Sequence, residues 1–329
     1  MANTPNPKVS VIVPNYNHAR FLRQRLDSIM GQTFQDFELI LLDDCSTDGS
    51  RSILSEHADD PRVRIEFNAV NSGSTFKQWN KGVQLARGEY VWIAESDDYA
   101  EPYLLEKLVS RLDAEPNAVL CNCRSWRVSS DGEILGTLDS FLAHLDAHRW
   151  TADFSADGRE ECRKYLVRGC TVLNASSVLF RKEVYERVGG ADETMRQCGD
   201  WKLWAAMALE GEIGYLGDKP LNFYREHDTS VSARNQRTGI YATEYLQVIR
   251  WILHRVTPTE ETRRKVCDDV FHVWYPKVLT NQIPLSRRWA ILISARAVDR
   301  HALRKLVRAA LVALRMTLSR RYRSLGFRL

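Results

Sequence analysis

No stretch of the 329 residues approaches the roughly 20 consecutive apolar positions that a membrane-spanning helix needs, so the sequence gives no candidate helical span. The opening residues, Met1-Ala2-Asn3-Thr4-Pro5-Asn6-Pro7, contain no apolar run, and no secretion signal is expected. The seven cysteines are an odd number without framework spacing. Cys121-Asn122-Cys123 is too tight for a zinc knuckle and no second pair follows, so reduced thiols in a cytoplasm are the expectation. No Gly-x-Gly-x-x-Gly follows the first predicted strand and no Walker-type Gly-Lys-Ser/Thr occurs, which excludes the usual dinucleotide fold and the P-loop. Internal repeats and low-complexity segments are also missing.

Apolar residues make up 44% of the chain, enough for one large α/β domain and an appendage. The net charge of +4 is unevenly placed. From Leu285 to Leu329 there are 12 Lys and Arg against one acid, Asp299, which leaves 34 basic and 41 acidic residues in the rest. The body is mildly acidic and the tail strongly basic.

Strands and helices alternate from the start. Lys8 to Val13 reads as a buried strand that Pro14 ends. Asn17 is placed to cap a helix from about His18 to Met30, with Leu22, Leu26, Ile29 and Met30 on one face and Gly31 as its stop. Phe37 to Leu42 and Val63 to Phe67 are the next strands. Ser46 and Asp48 suit a cap for a helix through Ala58, and another helix covers about Phe76 to Ala86. Tyr90 to Ala94 then has no polar alternation, as in a strand buried on both faces of a parallel sheet. It runs into Glu95-Ser96-Asp97-Asp98. Acids delivered at the carboxyl end of a buried strand mark a ligand site, and acids this crowded call for a cation or donors between them. A hard metal holding a phosphorylated substrate is the economical reading; a solvated acidic turn before Pro102 is the plain alternative.

Val9-Ser10-Val11-Ile12-Val13-Pro14-Asn15-Tyr16-Asn17, Gln32-Thr33-Phe34, Phe37-Glu38-Leu39, Asp43-Asp44-Cys45-Ser46-Thr47-Asp48-Gly49-Ser50 and Gly88-Glu89-Tyr90 running into Ser96-Asp97-Asp98 occur in order. In these pieces the chain resembles the family-2 inverting glycosyltransferases of the GT-A fold, over roughly residues 8–232. The resemblance implies an α/β, doubly wound mixed sheet with a helical C-terminal extension. Residues 1–234 would form the GT-A domain, with a nucleotide half at about 8–123 and an acceptor half at about 124–234, and 235–329 the basic extension. It implies nucleotide-sugar contacts from Pro14, Tyr16, Asp44, Lys77, Asp97, Arg225 and His227. Tyr16 suits stacking on a base, and Asp44 would accept from the N3–H of uracil. Asp97 and Asp98 would hold ribose and metal, with Asp98 the direct ligand to Mg²⁺ or Mn²⁺. Relatives usually carry Asp-x-Asp where this chain has Glu95, and Ala-Arg-Asn where it has Gln78-Trp79-Asn80. Lys77 can therefore equally be a solvated helix position.

In the same family an acid opening a helix is the catalytic base, which matches Asp200 in Gly199-Asp200-Trp201-Lys202-Leu203-Trp204. A helix N-terminus favours its ionised form and aromatic neighbours oppose it; a cap-only role is the alternative. Tyr224-Arg225-Glu226-His227 with Ser230 and Ser232 beyond matches a further family segment, in which Arg225 or His227 would meet the diphosphate, or Arg225 pair with an acid. His144, Asp146 and His148 lie in an irregular stretch that could face an acceptor or only water. Thr257-Pro258-Thr259-Glu260 reads as a capping box with Pro at the first helical position. Leu303, Leu306, Val307, Ala310, Leu311, Leu314 and Leu318 keep one helical face, flanked by Arg304, Lys305, Arg308 and Arg315. That pattern fits an anionic membrane surface or packing on the body. On the membrane reading, truncation near Pro284 should leave the fold intact.

The expected activity is metal-assisted transfer of a sugar from a nucleotide-sugar, a UDP-sugar by resemblance, to a hydroxyl of a glycan or lipid-linked acceptor. The expected location is the cytoplasm or the inner membrane face. A sugar nucleotidyltransferase and a non-catalytic nucleotide-sugar-binding protein are the alternatives. No nucleic-acid partner is expected, because the basic tail has no binding motif.

Overall fold

The structure, a computed structural model, describes residues 6–227, 239–279, 283–309 and 311. Its first half contains β1 (Val9–Asn15), α1 (Ala19–Met30), β2 (Phe37–Asp43), α2 (Ser50–Ser55), β3 (Val63–Phe67), α3 (Thr75–Leu85), β4 (Tyr90–Ile93), β5 (Tyr99–Ala100), α4 (Leu104–Ala114), β6 (Ala118–Cys123), β7 (Ser125–Val128) and β8 (Ile134–Thr137). Then follow β9 (Phe154–Asp157), α5 (Gly158–Glu161), β10 (Val178–Arg181), α6 (Lys182–Arg187), α7 (Gly199–Ala208), β11 (Glu212–Leu216) and β12 (Asn222–Arg225). Three long helices come last, α8 (Ile240–Leu253), α9 (Glu260–Leu279) and α10 (Leu285–Val298), with helix again at 302–309.

Eight strands form one mixed sheet in the order β3-β2-β1-β4-β10-β6-β11-β9. The first four run parallel and β10 enters antiparallel between β4 and β6. β1, β2 and β4 are buried along their whole length, as parallel strands covered on both faces must be. The side-chain period of two divides the core. Val9, Val11, Leu39, Leu41 and Trp92 face α1 and α4, whereas Ile12, Ile40, Leu42, Val91 and Ile93 face α3 and α7. A second, four-stranded sheet, β5-β12-β7-β8, stands at the end of the first. Its Tyr99 and Phe223 stack at 4.3 Å, which ties the loop after β4 to β12.

Several expectations are corrected. Pro14 does not end β1, which pairs with β2 through Asn15↔Asp43. Pairing with β4 has already stopped at Ile12↔Ile93, so the missing proline N–H costs no bond on that side. Asn17 does not cap α1. It has φ 57° and its Oδ1 accepts from Thr47 N at 2.7 Å. Asp48 caps instead, accepting from Ala19 N and Ser50 N at 2.9 Å each and so serving α1 and α2 together. The predicted capping box sits two residues late: Thr259 Oγ1 accepts from Thr262 N at 3.1 Å, and Pro258 precedes the helix.

The C-terminal helices share the core of the body. Trp201, Tyr245, Ile249, Val270, Trp274 and Ile291 belong to one continuous buried cluster that also contains Ile12 and Ile93. The buried face of α10 is Ile291, Leu292, Ala295 and Val298. Each large aliphatic side chain buried there contributes about 1.5–3 kcal/mol. Three of them approach the low end of a domain's whole net stability of about 5–15 kcal/mol. Truncation at Pro284 is therefore expected to damage the fold, contrary to the sequence expectation. Of the basic amphipathic tail, Ala310 and residues beyond Leu311 lie outside the described residues, as do Asp228 to Ser232.

Candidate active site

The parallel strands bring their carboxyl ends to one edge. Asn15 stands beside Asp43, and the loop from Glu95 leaves β4 next to them. Asn15 Nδ2 donates to Asp43 Oδ1 at 3.0 Å and to Ser46 Oγ at 3.2 Å, and Asn17 N donates to Ser46 Oγ at 2.9 Å. These bonds hold Asn17 and Cys45 in the left-handed region, with φ 57° and 64°, an uncommon state for side-chain-bearing residues. Tyr16 is thereby left 47% exposed at the sheet's mouth. Pro14 is buried, so any ligand contact would run through its backbone.

Asp44 is 5% exposed. Its Oδ1 accepts from Asn68 Nδ2, Ser72 N and Gln78 Nε2 at 2.7, 2.8 and 3.1 Å, and its Oδ2 only from the Ser72 hydroxyl at 2.8 Å. Oδ2 keeps acceptor capacity, since each carboxylate oxygen can take about two bonds. Lys77 is exposed on α3 and makes no hydrogen bond among the described residues, in line with its solvated reading.

The acids after β4 do not share a role. Glu95 accepts from Trp79 Nε1 at 2.7 Å, and burial pushes its carboxyl up to about 8. Asp98 is 2% exposed, with Oδ2 accepting from Asn174 Nδ2 and Oδ1 from Arg225 N, each at 2.9 Å. Burial and the charge of Asp97 push it up to about 6. Asp98 is thus held inside the fold, next to the more open Asp97. The crowding that suggested a metal is relieved by the protein itself. Arg25 lies fully buried below the acids with Nε donating to Glu95 O at 2.9 Å, and Arg225 clamps the same loop.

Arg225 is bonded within the fold. Its Nε donates to Asp97 O at 2.8 Å, Nη1 to Ser129 O and Ser130 O at 3.1 Å, and Nη2 to Gln24 Oε1 at 2.6 Å. Every side-chain nitrogen has an internal partner. Asp97 is the acid that turns outward. His227 Nε2 lies 2.9 Å from its Oδ2, and His18 joins them so that one ligand atom of each falls within 4.8 Å of the others. His18 Nδ1 is 2.8 Å from Ser96 Oγ, which fixes its ring, and burial holds it below the ordinary histidine value, in the neutral form a metal ligand needs. A carboxylate and two imidazoles fit a divalent cation.

Helix α3 joins this edge to Asp200. Gln78 reaches Asp44 and Trp79 reaches Glu95, while Phe76 lies under Gly199. A Cβ at Gly199 would fall 2.5 Å from the Phe76 ring, so only glycine lets α7 start there. Arg196, just before α7, donates to Gly73 O in the loop that also holds Asp44. The sequence alone gave α3 only Lys77; the departures Gln78 and Trp79 were the available signal.

Asp200 lies in the first turn of α7, and its Oδ1 accepts from Trp201 N at 2.7 Å. The cap is Cys198, not Asp200. Burial pushes the carboxyl up to about 6, opposed by the bonds from Trp201 N and its own N. Glu244 of α8 accepts from Arg196, Gln197 and Cys198 N at 2.7, 2.8 and 2.9 Å, so it binds three N–H groups of the turn that carries Asp200. Asp200 opens on a cavity of about 450 Å³, whose wall includes His144. His148 and Asp146 instead belong to a local turn, with Asp146 accepting from His148 N at 3.0 Å.

Residues 10–189 match the model of Glycosyl transferase family 2. The chain is 38% identical over 234 residues to TuaG of Bacillus subtilis (strain 168), named a glycosyltransferase, covering 71% of this chain and 84% of TuaG. Other curated relatives at 27–29% identity are matched over 63–69% of their length, so the chain spans about two thirds of those proteins. Among solved structures, Staphylococcus aureus TarS 1-349 in complex with UDP-GlcNAc superposes with a TM-score of 0.65 at 16% identity, covering 93% of this chain and 92% of that one. The mannosyltransferase PcManGT from Pyrobaculum calidifontis, in complex with GDP-Man and Mn²⁺, gives 0.56 at 21% identity, covering 98% and 84%. At these identities the structures establish a common GT-A fold, as the resemblance implied.

Proposed function

Since the chain belongs to glycosyl transferase family 2, we propose that it is an inverting glycosyltransferase that moves a sugar from a UDP-sugar to a hydroxyl of a glycan or lipid-linked acceptor. The observation that carries this reading is the arrangement around α3. α3 holds Asp44 through Gln78 and Glu95 through Trp79, and its Phe76 packs under Gly199, the neighbour of Asp200, whose carboxylate faces a separate cavity. The TarS complex with UDP-GlcNAc supports the uridine donor, and PcManGT with GDP-Man keeps the guanosine donor in the comparison.

In this reading Tyr16 stacks on the base and Asp44 Oδ2 accepts its N–H. Asp97, His18 and His227 would hold a divalent cation, which would supply positive charge to the departing diphosphate. Asp200 is ionised above its value of about 6. Its carboxylate takes the proton of the acceptor hydroxyl while that oxygen attacks the anomeric carbon. The bond from that carbon to the diphosphate oxygen breaks on the opposite side, so the configuration inverts. Lys77 is free to approach the diphosphate from the rim.

A release screen tests this. The full chain is incubated with UDP-, GDP- and dTDP-sugars, Mn²⁺ and a panel of glycan and lipid-linked acceptors. Acceptor-dependent release of nucleoside diphosphate is expected. Pyrophosphate release from a nucleoside triphosphate and a sugar phosphate would instead favour a nucleotidyltransferase, and donor binding without turnover a non-catalytic protein.

Peripheral attachment to an anionic membrane is part of the proposal. No helix among the described residues is long and apolar enough to cross a membrane. On α10, Leu285, Trp289 and Ile293 follow helical spacing and are 63%, 58% and 69% exposed, opposite the buried face. Exposed Arg296, Arg300, Arg304 and Arg308 supply the matching charge. Replacing Trp289 and Ile293 together by Asp is expected to weaken sedimentation with anionic vesicles roughly tenfold or more, with the fold intact. Unchanged sedimentation would remove the membrane from the account.

A further inference from the structure

The cavity beside Asp200 is not closed by the body that matches the family. One wall comes from Leu142 and His144, in the irregular stretch before β9. The opposite wall comes from Tyr241 and Tyr245 of α8 and Val273 of α9, both helices beyond the 10–189 match. Trp201, next to Asp200, meets the Tyr245 ring at 5.1 Å, and Tyr245 meets Tyr241 at 5.6 Å. The rings are tilted against one another, with Trp201 and Tyr245 buried and Tyr241 half-buried at the cavity. Tyr245 is fixed from behind, its hydroxyl donating to Arg168 O at 2.7 Å. The Tyr241 hydroxyl has no partner among the described residues and stands available to a ligand.

The charge of the lining is also informative. Its single arginine, Arg168, is taken by Asp269, with Nε to Oδ2 at 2.7 Å and Nη2 to Oδ1 at 3.4 Å. That leaves Asp200 as the one carboxylate of the lining without a cationic partner, with His144 and His272 exposed on the wall. An anionic ligand would meet like charge there. Aromatic faces with a few hydroxyl and imidazole groups suit instead the apolar faces and hydroxyls of a neutral sugar ring. About 450 Å³ lies within the roughly 300–1,000 Å³ range of small-molecule pockets.

We propose that α8 and α9 complete the acceptor site, and that the unit seated there is an uncharged glycosyl residue lying against Tyr241, with Trp201 and Tyr245 packed behind it, and with a hydroxyl toward Asp200. This rests on the transferase reading above, but its test needs no turnover. Saturation-transfer NMR on the full chain without donor uses methyl glycosides of neutral hexoses and N-acetylhexosamines, and the matching uronates. Transfer to the ring protons of at least one neutral glycoside is expected, with no tighter binding of its uronate. Tyr241→Ala should weaken that binding at least tenfold. Val273→Trp, which fills the cavity from α9, should remove it; circular dichroism of each variant confirms that it is folded. Failure of every neutral glycoside to bind, binding unchanged in both folded variants, or tighter binding of the uronates overturns the proposal. The release screen would still stand or fall on its own, so the two failures are told apart.

Discussion

Asp200→Asn is expected to lose transfer by about 10²–10⁴-fold in kcat, the usual contribution of a positioned general base, while the donor dissociation constant stays within twofold of the native value. The asparagine is isosteric and keeps an oxygen for Trp201 N, so the turn bound by Glu244 has no reason to move. Only the proton acceptor is lost. The pH dependence follows with a definite sign. Burial raises Asp200 to about 6, so the protonated, inactive form gains population as pH falls through that value. The kcat/KM of the native chain should decline with unit slope below about pH 6 and level off above it. Donor release rates of the variant across pH 5–8, compared with isothermal titration of the donor, decide the matter. Transfer surviving in Asp200→Asn would show that another group is the base.

Asp97→Asn and Asp98→Asn are expected to fail in different ways although the residues are neighbours. Asp97 is one of three groups that converge within 4.8 Å, and removing its charge should weaken Mn²⁺ binding at least about 100-fold. Asp98 accepts from Asn174 on one oxygen and from Arg225 N on the other. An asparagine there would turn an amide N–H₂ against one of those donors. A loss of about 1–3 kcal/mol in stability is expected, with cation affinity retained in the folded fraction. Mn²⁺ titration followed by water-proton relaxation and denaturant unfolding separate the two effects without an activity assay. The reverse outcome, cation binding lost in Asp98→Asn and kept in Asp97→Asn, would restore the assignment that the sequence suggests.

That contrast shows where sequence reading ends. β1, β2 and β4 are legible because apolar runs buried on both faces leave little choice of conformation, and β3 because Val63-Arg64-Ile65-Glu66-Phe67 alternates apolar and charged residues. Asp97 and Asp98 are adjacent, and only the turn fixed by Arg225 decides which of them faces the ligand edge. Arg225 itself sits in a segment that reads as ligand-binding, and its role emerges only when β12 places it under the loop after β4. β5 and β9 are too short to announce themselves, with two and four residues, and β9 alternates in burial like an edge strand. Asp200 is legible only through the family resemblance, because its place at a helix start is equally explained by a cap. The share of α8 in its surroundings is not legible, since Glu244 and Tyr241 lie some forty residues further along and no local pattern links them to the turn. Likewise, Val266, Val270 and Trp274 of α9 repeat every four residues, a core signal that the basic tail obscured.

The most direct test of the whole account is a crystal structure of the full chain with Mn²⁺ and a non-hydrolysable UDP-sugar. The account predicts the base against Tyr16, the diphosphate and cation at Asp97, His18 and His227, and the anomeric carbon turned toward the cavity with Asp200 on the side opposite the diphosphate. A donor bound at this edge with its sugar pointing away from Asp200, or a cation held by Asp98 instead, would contradict it.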